Sequence, residues 1–196
     1  MQRLPQKLYF IRHGETDWNV EGRLQGQRDI PLNDLGRVQA EEAGRRLAKA
    51  CPMFQDLPFI SSPLSRTRET MEILRGALGL HPPYYRTDAR LKEIGFGQWE
   101  GLTWKEVRRR QPGPAAMRDR DRWRFEPPEG ESYQRVAGRA GAFLAELEAP
   151  AIVVAHGGVA RTMMVLFGAL NANAALQQDI HQGQVLVLTP GTLCWA

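Results

Sequence analysis

Four side chains in this 196-residue sequence are of the types and at the places needed to act together on an anion: the adjacent Arg12 and His13, Arg66, and His156. Arg12 and His13 close the apolar run KLYFIR, Arg66 sits a few residues beyond the run PFIS, and His156 directly follows AIVVA. In a largely parallel sheet the carboxyl ends of the strands share one edge, and ligands bind outside that edge. Two guanidinium forks, two imidazoles and the N-termini of the following helices would make a strongly anion-seeking pocket there, with phosphate the obvious guest. Gly14, Gly157 and Gly158 would let the backbone approach such a ligand closely. The chain has neither a GxxxxGK[ST] loop nor a GxGxxG turn, so nucleotide binding by either device is unsupported. Its four histidines (13, 81, 156 and 181) show no HExxH or carboxylate-flanked spacing, so neither a catalytic metal nor another cofactor is expected. His81, His181, Cys51 and Cys194 read as structural.

The elements that must hold these residues alternate between strand and helix. A strand covers 7–12, and a helix follows from an Asn33 cap with Leu35, Ala40, Ala43 and Leu47 on its inner face. A brief strand at 58–61 leads to Ser62-Pro63, a cap followed by proline at the first helical position. The helix this starts turns Thr70, Ile73, Leu74, Ala77 and Leu78 inward and ends at Gly79. An extended piece near 84–87 comes next. Residues 95–131 differ in composition. Thr103 and Glu106 have capping-box spacing, the Arg-rich piece RDRDRWR occupies 118–124, and Pro127, Pro128 and Gly130 close the segment, which reads as a helical lid inserted into the domain. Ser132 opens a helix with Val136, Ala140, Phe143, Leu144 and Leu147 inward. AIVVA at 151–155 is the clearest buried strand, a helix covers 161–170, and 184–188 with 192–195 suggest a closing hairpin. The pattern predicts one α/β domain spanning 1–196, a three-layer α/β/α arrangement with a mostly parallel central sheet.

Composition narrows the function classes. The chain is 42% hydrophobic and 24% charged, which excludes disordered, collagen-like and low-complexity classes. No apolar run approaches the roughly 20 residues of a membrane helix. The N-terminal apolar stretch is broken by Arg12 and His13, too early for a secretory leader, so a cytoplasmic protein without membrane association is expected. Two isolated cysteines fit a reducing compartment. The net charge of +4 is carried by 22 arginines and only 4 lysines, a preference that suits bidentate recognition of phosphate or carboxylate. Acidic residues are interspersed almost throughout, so charge alone leaves a nucleic-acid partner open, although none is expected. Residues 108–124 hold seven Arg against two Asp, and that cluster could instead form a funnel for anionic substrates.

Beyond these single positions, the chain carries an ordered set of motifs: RHGETDWN at 12–19, RLQGQRDIPLNDLG at 23–36, SSPLSRTRET at 61–70, LKEIGFGQWEG at 91–101, PEGESY at 128–133 and AHGGVAR at 155–161. In this order and spacing the sequence resembles the histidine phosphatase superfamily, also called phosphoglycerate-mutase-like, over most of its length up to about residue 168. The resemblance implies a covalent mechanism in which His13 is the nucleophile that becomes phosphohistidine. Arg12, Arg66 and His156 would clamp the phosphoryl oxygens, with Arg68 the competing choice for Arg66. Glu93 would act as general acid toward the departing oxygen and then as base toward water. Asn19, Gln25, Gly26 and the Gly157 amide match positions that contact phosphate or substrate, although a turn-forming role for Gln25 and Gly26 stands beside that.

Within the family, the same site hydrolyses phosphomonoesters or moves phosphate between hydroxyls of phosphoglycerate. The segment IGFGQWEG after Glu93 looks like the phosphatase branches and not the ERHYG-LQG pattern of the cofactor-dependent mutases, and the stretch between Glu93 and His156 is shorter than in those mutases. The expectation is therefore a metal-independent phosphomonoester hydrolase, a histidine-type acid phosphatase, acting on a small anionic phosphate ester. A cofactor-dependent phosphoglycerate mutase is the alternative, and non-catalytic or nucleic-acid-binding modules are disfavoured because all five catalytic positions are present. Oligomeric state is left open.

Overall fold

The computed structural model describes residues 6–196. Residues 1–5, the start of the stretch read above as too short for a leader, lie outside the described residues. Six strands form one sheet: β1 (Leu8–Arg12), β2 (Phe59–Ser61), β3 (Arg86–Thr87), β4 (Ala151–Ala155), β5 (Leu186–Thr189) and β6 (Thr192–Trp195). Their order is β3-β2-β4-β1-β5-β6. The first four run parallel, and β5 and β6 add the antiparallel hairpin expected at the C-terminus.

Period-two alternation decides which side chains face which layer. Leu8 and Phe10 of β1 join Ala151, Val153 and Ala155 of β4 on one face, where α6 (Tyr133–Ala145) and α7 (Gly157–Leu166) cover them. Tyr9 and Ile11 with Ile152 and Val154 face the other way, against α2 (Asp34–Ala50) and α3 (Ser65–Ala77). The central strands are buried on both faces, which is why β4 reads as an unbroken apolar run. The result is the three-layer α/β/α arrangement with a mostly parallel sheet.

Several boundaries differ from the sequence expectation. Asn33 caps α2 as expected, its side chain accepting from the Gly36 amide, but Leu35 is exposed. Helix α3 begins at Ser65, not Pro63: Leu64 takes the cap position, and the Ser62 hydroxyl meets His156 Nε2 at 2.8 Å and accepts from the Leu64 amide at 3.5 Å. Its buried residues are Arg66, Thr67, Thr70, Met71, Leu74 and Arg75, while Ala77 is exposed. Helix α7 starts four residues earlier than expected, directly at Gly157. A short α8 (Ala172–Leu176), capped by Asn171, was not anticipated.

Between β3 and α6, residues 95–131 carry α4 (Trp104–Arg110), opened by the Thr103–Glu106 capping box, and α5 (Pro112–Arg120). Trp99, Val107 and Ala115 pack with Leu24 into a small apolar cluster of their own. The remaining helix, α1 (Asp17–Val20), is a single turn capped by Thr16. Among the described residues no helix is long and apolar enough to cross a membrane.

Candidate active site

Parallel register builds the site. Arg12 pairs with Ala155 and Ser61 with Val154, so the ends of β1, β4 and β2 lie side by side. The pairing continues one residue further: the His13 amide donates to Ala155 O and the Ser62 amide to Val154 O, both at 3.0 Å. His13 and His156 thereby meet at the sheet edge, their ring centroids 5.2 Å apart and the rings steeply inclined to each other.

His13 is buried and its Nδ1 lies 2.7 Å from the carbonyl oxygen of Gly14. A carbonyl only accepts, so Nδ1 carries the proton and Nε2 of the neutral ring keeps its lone pair. Burial, then the charges of Arg66 and Arg12, holds His13 well below the ordinary histidine pKa. His156 is held down in the same way, by burial first and then by Arg66, His13 and Arg12. Its Nε2 is 2.8 Å from the Ser62 hydroxyl, and its Nδ1 is buried without a partner.

The two arginines are tethered by backbone carbonyls and leave part of each fork unused. Arg12 donates from Nη1 to Ile180 O at 2.9 Å. Arg66 donates to Arg28 O at 2.7 Å and to Gly26 O at 2.9 Å. In both, Nε is buried without a partner. Burial lowers the Arg12 pKa to about 10, so the group is still cationic at neutral pH. Arg68, the competing choice for Arg66, is exposed and lies off the pocket.

Arg12, His13, Arg66, Glu93 and Gly157 line one cavity of about 230 Å³, together with Asn19, Gln25 and Gly26. His156 is in ring contact with His13 but does not itself line the cavity. The Glu93 carboxylate accepts from the amides of Gly158, at 3.1 and 3.2 Å, and Ile94, at 2.9 Å. Asn19 Oδ1 is taken by Thr16 and Gln182, which leaves its amide NH2 for a ligand. Gln25 Oε1 is buried without a partner. Gly26, at φ +53°, turns the chain so that its carbonyl can receive Arg66. Gly157 is the first residue of α7, so the positive end of that helix points at the pocket. Among the described residues no group of three or more His, Cys, Asp or Glu side chains is arranged to hold a metal ion.

The sequence model of the histidine phosphatase superfamily (branch 1) matches residues 8–195. The chain belongs to the histidine phosphatase superfamily. Among curated relatives, the chain is 37% identical over 167 residues to glucosyl-3-phosphoglycerate phosphatase of Mycobacterium tuberculosis, covering 79% of this chain and 71% of that one. It is 33% identical over 190 residues to human 6-phosphofructo-2-kinase/fructose-2,6-bisphosphatase 4, covering 95% of this chain but 38% of that larger protein. Among solved structures, the native mycobacterial glucosyl-3-phosphoglycerate phosphatase superposes with a TM-score of 0.79 at 31% identity, covering 97% of this chain and 96% of that one. A protein of Thermus thermophilus superposes with a TM-score of 0.73 at 31% identity, with 96% of both chains covered.

Several residues of this candidate site were not singled out by sequence reasoning. Ser62 reads as a helix cap but bonds His156. Thr70 reads as helix interior, yet its hydroxyl accepts from the Gly14 amide at 3.1 Å and donates to Arg66 O at 2.7 Å, tying the His13 loop to the arginine helix. Arg161 lines the cavity and anchors on Gln178 O. A polar residue at a buried position of an apolar periodicity was the available signal for Thr70; for Ser62 there was none.

Proposed function

We propose that the chain is a phosphomonoester hydrolase working through a phosphohistidine at His13, on a small anionic ester. The observation that carries this reading is the His13 Nδ1 to Gly14 O bond, which fixes the attacking tautomer beside two arginines with unused Nε–H donors. Phosphoryl transfer spreads charge over three equatorial oxygens, so positioned cationic donors do most of the catalytic work. Arg12 and Arg66 supply those cationic donors, and the neutral His156 ring, through its unpartnered Nδ1, and the Gly157 amide at the helix start add uncharged ones. His13 Nε2 forms the bond to phosphorus as the ester P–O bond breaks, and Glu93 gives its proton to the departing oxygen. Water then attacks phosphorus, Glu93 takes a proton from it, and the P–N bond breaks to release phosphate and free His13. The similarity to enzymes named as phosphatases supports hydrolysis over phosphate transfer between hydroxyls.

The test is phosphate release from a panel of phosphomonoesters in the presence of a chelator, alongside a 3-phosphoglycerate mutase assay with and without 2,3-bisphosphoglycerate. The expected result is chelator-resistant release with an acid-labile phosphoenzyme, both lost in His13→Ala. Bisphosphate-dependent isomerisation with little free phosphate would overturn the hydrolase reading in favour of a mutase.

A further inference from the structure

The cavity holds more positive charge than one phosphoryl group needs. Arg12, Arg23, Arg66, Arg118, Arg122 and Arg161 line it, against a single carboxylate, Glu93. Arg23 is neutralised by Glu21 and Glu106, and Arg12, Arg66 and Arg161 cluster at the His13 end, where the Arg161 and Arg12 guanidiniums flank Gly157. Arg118 and Arg122 come from a different segment, in the last turn of α5 and just beyond its end.

These two are built differently from the other arginines of their segment. The Arg118 guanidinium lies over Trp104, 3.8 Å from the ring centroid, and Trp104 packs edge-on against Trp99 and Phe96. That stack fixes the fork in place before any ligand arrives, which lowers the entropy lost on binding. Arg118 Nη1 reaches Asp119 at 3.1 Å, but that carboxylate is half-exposed and shared with Arg108. Arg122 Nε is buried without a hydrogen bond, and no carboxylate forms an ion pair with Arg122 among the described residues. Burial first, and then the neighbouring charge of Arg122, pushes the Arg118 pKa down. By contrast Arg108, Arg110 and Arg124 are exposed and paired with Asp119, Glu106 and Asp121, and Arg109 and Arg120 are exposed and off the cavity.

We infer that Arg118 and Arg122 form a second anion site that recognises a carboxylate or further phosphate on the leaving group of the substrate. The site rests on the hydrolase reading for its place in the reaction: the ester phosphate lies at His13, and the leaving group reaches back toward Trp104. A neutral alcohol leaving group would leave Arg122 unpaired and Arg118 with only its shared aspartate, whereas an anionic one pairs both.

Two matched pairs test it: 3-phosphoglycerate against glycerol 1-phosphate, and phosphoglycolate against 2-hydroxyethyl phosphate. A charge-assisted hydrogen bond is worth enough to expect kcat/KM roughly tenfold or more higher for the carboxylate member of each pair. Arg118→Gln and Arg122→Gln should each erase most of that preference, through KM, while leaving 4-nitrophenyl phosphate within about threefold of wild type. Arg120→Ala should change neither. Equal rates within each pair in the wild type, or equal losses on both members in Arg122→Gln, overturn the second site. If no ester is hydrolysed, calorimetric binding of the same pairs separates the two readings. A carboxylate preference that Arg122→Gln abolishes then upholds the anion site while the hydrolase reading falls, and no preference overturns both.

Discussion

The Ser62 hydroxyl stands 2.8 Å from Nε2 of His156, and both side chains are wholly buried. The pair joins the end of β2 to the end of β4, so the His156 ring, proposed above to contact the phosphoryl group, is oriented by a residue from a neighbouring strand. Ser62→Ala leaves a buried ring nitrogen without its partner, a loss of about 1–3 kcal/mol in stability. The catalytic effect should be larger on kcat than on KM, because a free ring rotates away from the developing charge. Urea unfolding and steady-state kinetics on one preparation check both; an unchanged kcat would leave Ser62 a packing residue only.

Stability should fall on the acid side of neutrality through the two active-site histidines. His13 and His156 are both held well below the ordinary value, chiefly by burial and by Arg66. In the unfolded chain each titrates near pH 6.5, so below that pH the unfolded state binds protons that the folded state refuses. The unfolding free energy therefore drops as pH falls, by at most about 1.4 kcal/mol per pH unit for each histidine, until the folded rings themselves protonate. Urea midpoints measured from about pH 7.5 down to about pH 5 should show this decline. His156→Gln should make it shallower, and a slope identical to wild type would remove His156 from the account.

Glu93 is fixed at its carboxylate by the Gly158 and Ile94 amides and at its carbonyl by Arg139 and Gln27. Glu93→Gln should lower turnover of alkyl phosphates by about 10²–10⁴-fold, the usual worth of a positioned acid. With 4-nitrophenyl phosphate, whose leaving group departs without a proton, the first step should be nearly spared, and phosphoenzyme should accumulate because water lacks its base. Rapid-quench detection of phosphoenzyme with both esters distinguishes this from a general loss of activity.

Much of this site was legible because strand ends are legible. AIVVA and KLYFIR are short, mainly apolar runs of the length of a strand buried on both faces, and the residues directly after them share an edge by topology. Asn33, Thr103 and Ser132 cap helices through local side-chain bonds, so their signals were local as well. Contacts between distant segments were not readable. The bond from Thr70 to Gly14 spans 56 positions and that from Ser62 to His156 spans 94. Nor did composition separate Arg118 and Arg122 from the five other arginines of 108–124, since only the packing of α5 against Trp104 sorts them.

The His13 loop is also held by a backbone contact that admits no side chain. Gly14 and Gly36 face each other, and a Cβ on Gly14 would run into the carbonyl oxygen of Gly36 while one on Gly36 would run into that of Glu15. The obstacle in each case is backbone, fixed on one side by the Asn33 cap of α2 and on the other by the Gly14 amide bond to Thr70. Gly14→Ala must therefore push the start of α2 away or displace the carbonyl that receives the His13 proton. The expected result is a loss of about 1–3 kcal/mol, typical of an overpacked interior, with turnover falling further than stability accounts for. The second effect follows because the Gly14 carbonyl selects the His13 tautomer. The separating measurement is the ¹⁵N shift of the His13 ring: a mixed tautomer in Gly14→Ala is expected, and an unchanged Nδ1–H form alongside lost turnover would place the damage elsewhere in the loop.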